Sequence, residues 1–149
     1  MNNTANNRRK LSLLIRAKST PTKNPIFDVF VNGHAVRLEA DNIDYIGIDS
    51  LHAFNCVLDN INDISITLIN KEPGDTKVID GKITEDLMLI IESLKIDHID
   101  LTSKLSKLSN YVSTDGISHQ THGYVSFNGT MKFKVHNNLL YTELLSSFI

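Results

Sequence analysis

Residues 26–40 have the sequence IFDVFVNGHAVRLEA, in which two largely apolar segments flank the dipeptide Asn32-Gly33. Asn-Gly is the preferred pair for a two-residue type I′ turn, because both central residues of that turn have positive φ. We therefore predict a β-hairpin with strands over residues 26–31 and 35–40. A chain with such a turn is expected to contain an antiparallel sheet.

A second Asn-Gly pair, Asn128-Gly129, also has apolar segments on both sides. It predicts a second hairpin with strands over residues 124–127 and 130–135. Shorter alternations of apolar and polar residues predict further strands over residues 11–15, 43–48 and 64–68.

Four other segments have apolar patterns that predict helices, and in the second of them the apolar residues surround most of the helix, which predicts a central position. The clearest of them follows Asp49 or Ser50, either of which is a suitable N-cap. Its expected buried face is formed by Leu51, Phe54, Val57, Leu58 and Ile61. The four predicted helices lie over residues 51–62, 84–94, 101–108 and 139–149.

The predicted element order is ββββ-α-β-αα-ββ-α, which is typical of an α+β domain. We expect an antiparallel sheet that contains the two Asn-Gly hairpins, with helices packed on one face. At 149 residues the chain is long enough for one domain with a substantial core. We expect residues 1–10 to form a disordered basic tail and residues 11–149 to form the single domain.

Composition limits the classes of protein to which the chain can belong. The single cysteine, Cys56, excludes an internal disulfide, so folding does not depend on an oxidising compartment. The apolar run over residues 11–15 is too short for a signal peptide, and no segment approaches the ~20 apolar residues of a membrane-spanning helix. No glycine-rich phosphate loop occurs. We expect a cytoplasmic protein without a membrane partner or a cofactor.

Charge is distributed unevenly along the chain. Residues 1–27 contain six bases and no acid, residues 28–100 contain fifteen acids and five bases, and residues 101–149 contain four bases and two acids. A near-neutral total therefore includes a middle segment with a net charge of −10. An acidic surface repels phosphate backbones and attracts cationic partners.

His119 and His122 are the only closely spaced histidines, and glycines flank their loop. They are candidate zinc or copper ligands, but a structural zinc site needs four ligands and the only cysteine is distant in sequence. Ser118, His119 and Asp115 have the residue types of a nucleophile, a base and an orienting acid, without a nucleophile elbow. We expect a polar loop here, with no metal and no catalytic activity. A hydrolase or nuclease that uses His119 or His122 with Asp115 is the enzyme alternative.

A further interpretation involves a histidine and the single cysteine. On the first predicted helix, His52 and Cys56 are four residues apart, which could bring a thiol near an imidazole. A small core residue is the simpler interpretation of Cys56.

A nucleic-acid-binding regulator is the second alternative function. Its binding surface would combine the basic residues between Arg8 and Arg16 with Lys132 and Lys134. The aromatic residues available to stack on bases would be Tyr124, Phe127 and Phe133. The acidic middle of the chain argues against a broad phosphate-binding face, so nucleic acid is not the expected partner.

A group of acidic residues falls on one predicted hairpin end, one loop and the solvent-facing side of the first predicted helix. No EF-hand spacing is present, so calcium is not indicated. The pattern favours a cationic protein as the partner. The predicted partner-binding residues are Glu39, Asp41, Asp44, Asp59 and Asp63, with Tyr45 as a possible aromatic anchor.

The stretch GIDSLHAF, residues 47–54, resembles a G-x-D-S-x-x-A-[L/F] helix start of small bacterial proteins, some of them encoded beside polymorphic toxins. The chain as a whole is similar to immunity proteins of contact-dependent growth inhibition and related toxin systems. The resemblance implies a protein without catalytic activity that neutralises a cognate toxin, such as a nuclease, by stoichiometric binding. It transfers no catalytic residue to this chain. The combined expectation is an immunity protein that occludes a cationic toxin domain through its acidic surface.

Overall fold

The computed structural model describes residues 8–36 and 49–135, which are mostly β-strand. The strands are β1 (Arg9–Lys18), β2 (Phe27–Val31), β3 (His34–Ala35), β4 (Ser50–Leu58), β5 (Asp63–Leu68), β6 (Lys77–Ile79), β7 (Lys82–Glu85), β8 (Met88–Ile96), β9 (Ile99–Asp100), β10 (Ser109–Ser113), β11 (Ser118–His119), β12 (Tyr124–Val125) and β13 (Gly129–Lys134). Short helical segments occur at Pro73–Asp75, Thr102–Lys104 and Leu105–Leu108, the last of which is α1. Across these described ranges, no helix is long and apolar enough to cross a membrane.

The strands pair into two large antiparallel sheets and a separate hairpin. The first sheet has the order β12-β8-β1-β4, and β9 also pairs with β8. The second sheet has the order β11-β10-β13-β5-β2-β3. Strands β6 and β7 form the separate two-stranded hairpin.

Alternate residues of the strands point into a core between the two large sheets. In β1, Leu11, Leu13 and Ile15 are buried, and in β5 the same is true of Ile64 and Ile66. Side chains from both sheets belong to one continuous hydrophobic cluster, as in a sandwich of two packed antiparallel sheets. The prediction of an α+β fold with helices on one face is therefore wrong, and the described chain is a β-sandwich.

The first predicted helix, over residues 51–62, is replaced by the strand β4. His52 and Phe54 point into the core, whereas Leu51 and Val57 point outward and are 48% and 51% exposed. The helical interpretation failed because β4 has a polar residue on its buried face and apolar residues on its exposed face. Its apolar positions therefore do not alternate as those of a half-buried strand usually do.

The second predicted helix falls mostly on β8, which contains a β-bulge. Ile15 of β1 pairs with Ile91, whereas the preceding Leu14 pairs with Ser93, so Glu92 is the extra residue. The bulge interrupts the two-residue spacing of the buried side chains. The buried residues of β8 are Leu89, Ile91, Leu94 and Ile96. This interrupted spacing resembles that of a helix.

The two predicted hairpins have different outcomes. The turn of the first is confirmed, because β2 and β3 pair across Asn32 and Gly33, whose φ angles are 52° and 80°. Residues 37–40 of its predicted second strand lie outside the described residues. The second is wrong, because the segments on either side of Asn128-Gly129 enter different sheets. Strand β12 pairs with β8, whereas β13 pairs with β10 and β5.

Of the remaining predicted elements, the strands over residues 11–15 and 64–68 are confirmed as parts of β1 and β5. The third predicted helix is reduced to the short segments Thr102–Lys104 and Leu105–Leu108. The strand predicted over residues 43–48 and the helix predicted over residues 139–149 lie outside the described residues. So do residues 1–7 of the predicted tail, and β1 already begins at Arg9.

Candidate functional site

The predicted acidic binding residues divide between described and undescribed parts of the chain. Glu39, Asp41, Asp44 and Tyr45 lie outside the described residues. Asp59 directly follows β4, and its Oδ1 lies 3.5 Å from Arg8 Nε in an exposed ion pair. Asp63 is the first residue of β5 and is opposite Lys134 of β13. The two described members are thus next to basic residues.

Pairing of β1 with β4 and β8 brings the basic start of the chain against its acidic middle. Arg9 Nη1 lies 2.8 Å from Asp97 Oδ2, and Arg16 Nε lies 2.6 Å from Glu92 Oε1. Lys23 pairs with both Asp75 and Glu72, in the loop after β5. The basic and acidic segments, which are separate along the sequence, are therefore brought together in the folded protein.

The groups proposed for nucleic-acid binding do not form one basic, aromatic surface. Phe133 is fully buried in the core, and Phe127 is stacked on Tyr111. Lys132 and Lys134 are exposed on β13, in the second sheet, whereas the arginines of β1 are in the first sheet and are engaged in ion pairs.

The imidazole of His52 and the thiol of Cys56 are separated by the extended chain of β4. Residues four apart on a strand are roughly 13 Å apart, so the proposed thiol–imidazole pair is not formed. Ser50 Oγ and His52 Nε2 share a hydrogen bond of 2.7 Å, and Nδ1 has no hydrogen-bond partner among the described residues. Burial lowers the pKa of His52 and raises the pKa of Cys56.

The proposed Ser118, His119 and Asp115 set is not arranged as a catalytic triad. Ser118 and His119 are consecutive residues of β11, so their side chains point to opposite faces of the strand. The Oδ1 atom of Asp115 accepts hydrogen bonds from the Ser113 hydroxyl and from the Ile117 N–H. In the described part of the chain, no group of three or more His, Cys, Asp or Glu residues is placed to hold a metal ion.

His119 and Asp115 instead line an open cleft of about 460 Å³ at one edge of the sandwich, which we call the Phe127 cleft. Three separate chain segments form its walls: the loop after β5, the β10–β11 turn region and the residues before β13. The lining residues are Lys71, Glu72, Pro73, Ser113, Thr114, Asp115, Ile117, His119, Phe127 and Asn128.

An aromatic cluster forms the wall of the cleft at Phe127. The Phe127 and Tyr111 rings are nearly parallel, with centroids 4.2 Å apart. The His119 ring centroid is 4.6 Å from that of Phe127 and 6.5 Å from that of Tyr111. These distances give a triangle that is close to right-angled at Phe127, so His119 lies beside the edge of the phenyl ring. Phe127 lines the cleft and also packs against the hydrophobic core.

Hydrogen bonds hold Phe127 in this position. The buried Tyr111 hydroxyl donates to the Phe127 carbonyl, and it accepts from the Phe127 N–H at 3.0 Å. Burial raises the pKa of Tyr111 to about 12, so the hydroxyl stays protonated as this donor. Phe127 is thus fixed through both its ring and its backbone.

The charged groups of the cleft differ in their availability. The Lys71 ammonium is almost fully buried, donates to Asp86 Oδ1 at 2.6 Å and also donates to the Ser126 carbonyl. The hydrogen bond from Ser113 and that from the Ile117 N–H hold the pKa of Asp115 below its usual value. Asp115 and the exposed Glu72 therefore present negative charge, whereas the positive charge of Lys71 is balanced by Asp86.

Asn128 and Gly129 position the cleft rather than form a hairpin turn. Asn128 Oδ1 accepts from the Lys71 N–H at 2.8 Å, and its Nδ2 donates to the Lys71 carbonyl at 2.9 Å. These two bonds fix the loop after β5 against the start of β13. At Gly129, where φ is 154°, an added Cβ would lie 2.3 Å from the Val112 carbonyl oxygen, so only glycine permits this close approach.

Sequence reasoning identified His119 and Asp115 as candidates but assigned them to a different chemistry. It considered Phe127 only as an aromatic residue that could stack on bases and Asn128 only as a turn residue, and it did not identify Glu72 as a site residue. The Asn-Gly pair was the one available signal, and it was attributed to a turn. Comparisons of the chain with protein-family models, with curated proteins and with solved structures find no match.

Proposed function

We propose that this chain is a binding protein that neutralises a cationic toxin domain by occupying its surface. The observation that carries the proposal is the Phe127 cleft, where an aromatic wall lies beside the carboxylates of Asp115 and Glu72. Aromatic residues are enriched at the centres of protein interfaces, and complementary charges across an interface add specificity and association rate. The proposed activity is stoichiometric occlusion and includes no chemical step.

The chemistry of a toxin of the nuclease class supports this choice of partner. A nuclease must attract phosphate groups, so its active cleft is expected to be cationic. An inhibitor that presents carboxylates gains association rate by electrostatic steering and specificity from matched charge pairs. The cleft and the acidic residues predicted from the sequence would supply such carboxylates.

The predicted set Glu39, Asp41, Asp44, Tyr45, Asp59 and Asp63 is kept as a second contact region of the proposal. Of these, Asp59 has an exposed ion pair with Arg8. Exposed pairs contribute only about 0–1 kcal/mol, so a basic residue of the partner can replace Arg8 at little cost.

The proposal is tested with the C-terminal domain encoded by the gene immediately upstream, because an immunity gene normally follows that of its toxin. The purified domain is used in a pull-down with this chain, and both are co-expressed in a growth-rescue assay. We expect a one-to-one complex and restored growth. If the wild-type chain neither binds nor protects, the proposed function is wrong.

Charge variants then locate the contact. The cleft variant Asp115→Asn with Glu72→Gln is compared with a control of equal charge change, Asp28→Asn with Asp100→Asn, whose residues lie outside the cleft. We expect the cleft variant to associate more slowly with the partner, with a weaker salt dependence, and the control to bind as the wild type does. A third variant, with Asp41, Asp44, Asp59 and Asp63 changed to Asn, tests the second contact region in the same assay.

A further inference from the structure

We propose that the Phe127 cleft binds a guanidinium group, supplied by an arginine side chain of the protein partner. This inference rests on the proposed function and names the chemical group that the site recognises. It requires a flat apolar surface, an acceptor of fixed negative charge and no competing cation in the cleft.

The flat surface is the Phe127 ring, which lines the cleft. Tyr111 is stacked on this ring, and the Tyr111 hydroxyl holds the Phe127 backbone, so the ring is preorganised before any ligand arrives. Guanidinium groups are planar and weakly hydrated, and they stack on aromatic faces. Pro73 and Ile117 add apolar walls that can pack along the methylene groups of an arginine side chain.

The acceptor is the Asp115 carboxylate. Its Oδ1 atom is occupied by the Ser113 hydroxyl and the Ile117 N–H, which orient the group and leave Oδ2 for a ligand. Glu72 lines the same cleft and is 79% exposed, with a long contact of 3.6 Å to Lys23. A guanidinium has five N–H donors in a planar group, whereas an ammonium has three donors and no plane to stack.

The one lysine in the wall does not oppose this ligand. Lys71 Nζ is held by Asp86 and by the Ser126 carbonyl, and both partners of the ion pair are nearly buried. The charge of Lys71 is therefore balanced by Asp86 within a nearly buried ion pair. The cleft volume of about 460 Å³ lies at the lower end of the usual range for ligand pockets.

The first test is an NMR titration of the full chain with N-acetyl-argininamide as the probe. The matched controls are N-acetyl-citrullinamide, which has the same shape without charge, and N-acetyl-lysinamide, which has charge without the planar group. We expect saturable shifts of the amides of Ile117, His119 and Asn128 with the arginine probe, in the millimolar range that is typical of so small a ligand. We expect weaker shifts with the lysine probe and none with the citrulline probe.

Variants link the binding to the proposed residues. Asp115→Asn should reduce affinity for the arginine probe at least about fivefold, since hydrogen bonds to charged groups are among the stronger ones. Phe127→Leu, which keeps an apolar side chain, should reduce affinity and remove the preference for arginine over lysine. Asp28→Asn, outside the cleft, should have no effect. Equal responses to the arginine and citrulline probes, or no saturable response, would overturn the inference.

The partner complex separates this inference from the proposed function. If the toxin domain binds the wild-type chain and Asp115→Asn equally well, while the arginine probe does not bind, the function stands and the guanidinium site is wrong. If the probe binds but no toxin domain does, the site stands and the proposed function is wrong. If the probe binds and Asp115→Asn leaves the toxin complex unchanged, the assignment to a partner's arginine is wrong and a free guanidinium compound is the ligand.

Discussion

Arg16 Nε lies 2.6 Å from Glu92 Oε1, which joins the second half of β1 to the bulge of β8. Arg16 belongs to the basic first segment of the chain and Glu92 to the acidic middle segment. Their pairing is one of several that place opposite charges side by side once the first sheet forms. A charge pattern along a chain therefore indicates a charged surface only if the fold keeps the two segments apart.

The bulge at Glu92 leads to a prediction about chain deletions. Removal of Glu92 leaves Leu89, Ile91, Leu94 and Ile96 on one face of a regular strand, because Glu92 is the residue without a partner on β1. We expect the deletion variant to fold and to unfold cooperatively in urea. Deletion of Lys95 is the matched control, since it moves the buried Ile96 to the exposed face.

Exposure of an isoleucine of this kind costs about 1.5–3 kcal/mol. The free energy of unfolding should thus fall much more for the Lys95 deletion than for the Glu92 deletion. Equal losses in the two variants would contradict the described register of β8.

The extent to which the fold could be predicted depended on how regular each strand is. In β1 and β5 every second residue is apolar and buried, although Ser65 of β5 is buried as well, so their pattern was sufficient. In β4 the buried position of His52 and the exposed position of Leu51 reverse the usual pattern. In β8 the bulge interrupts it. Both departures depend on which strands pair with β4 and β8. The local sequence pattern does not show that pairing.

The candidate site was less predictable than the fold. The Phe127 cleft combines three segments that are distant in sequence, and no spacing relates Glu72, Asp115 and Phe127. The Asn128-Gly129 pair was visible but ambiguous. Its asparagine forms hydrogen bonds with the backbone of Lys71, and its glycine avoids a clash with Val112. By sequence alone, neither requirement can be distinguished from that of a turn.

The close approach at Gly129 predicts a strong effect of a single methyl group. In Gly129→Ala the new Cβ would lie 2.3 Å from the Val112 carbonyl oxygen and 2.7 Å from Ser113 Cα. Both are backbone atoms of β10 and cannot move without loss of β10–β13 pairing. We expect a loss of about 1–3 kcal/mol or more from the overlap. Urea denaturation measures it.

Gly33→Ala provides the comparison. Gly33 has a φ of 80°, but nothing lies within 4 Å of a Cβ added there. The loss of stability in Gly33→Ala should therefore come only from placing alanine in the left-handed backbone conformation, which costs about 1–2 kcal/mol. A Gly33→Ala variant less stable than Gly129→Ala would contradict the close approach of β10 and β13.

The nearly buried pair of Lys71 and Asp86 predicts non-additive effects. Asp86 Oδ1 also accepts from the Thr76 hydroxyl at 2.7 Å and from the Leu87 N–H at 2.9 Å, at the base of the β6–β7 hairpin. Loss of one partner leaves the other as a nearly buried, unpaired charge, which typically costs 3–5 kcal/mol. We expect Lys71→Met and Asp86→Asn each to be strongly destabilised.

The double variant Lys71→Met with Asp86→Asn should then lose much less than the sum of the single losses, since it leaves no unpaired charge. The free energies of unfolding of the four proteins in this double-mutant cycle provide the measurement. Additive losses would show that the pair contributes nothing as a pair.

His52 predicts how stability depends on pH. Burial lowers the pKa of His52 in the folded protein below its ordinary value of 6.5, so the unfolded chain binds a proton more readily. The contribution of uncharged His52 to the free energy of unfolding is therefore fully present at a pH above the pKa that His52 has in the unfolded chain. It is lost as the pH falls below that pKa. We expect the free energy of unfolding to decrease from pH 7 to pH 5, and His52→Leu to make this decrease smaller.

The same substitution has a second expected effect at pH 7. His52 Nδ1 is buried without a hydrogen-bond partner among the described residues, and such an atom costs about 1–3 kcal/mol. The ring lies edge-on to Phe27 with centroids 5.4 Å apart, so an apolar side chain fits this position. His52→Leu should accordingly be at least as stable as the wild type at pH 7. A wild-type slope retained in His52→Leu would assign the titration to another group.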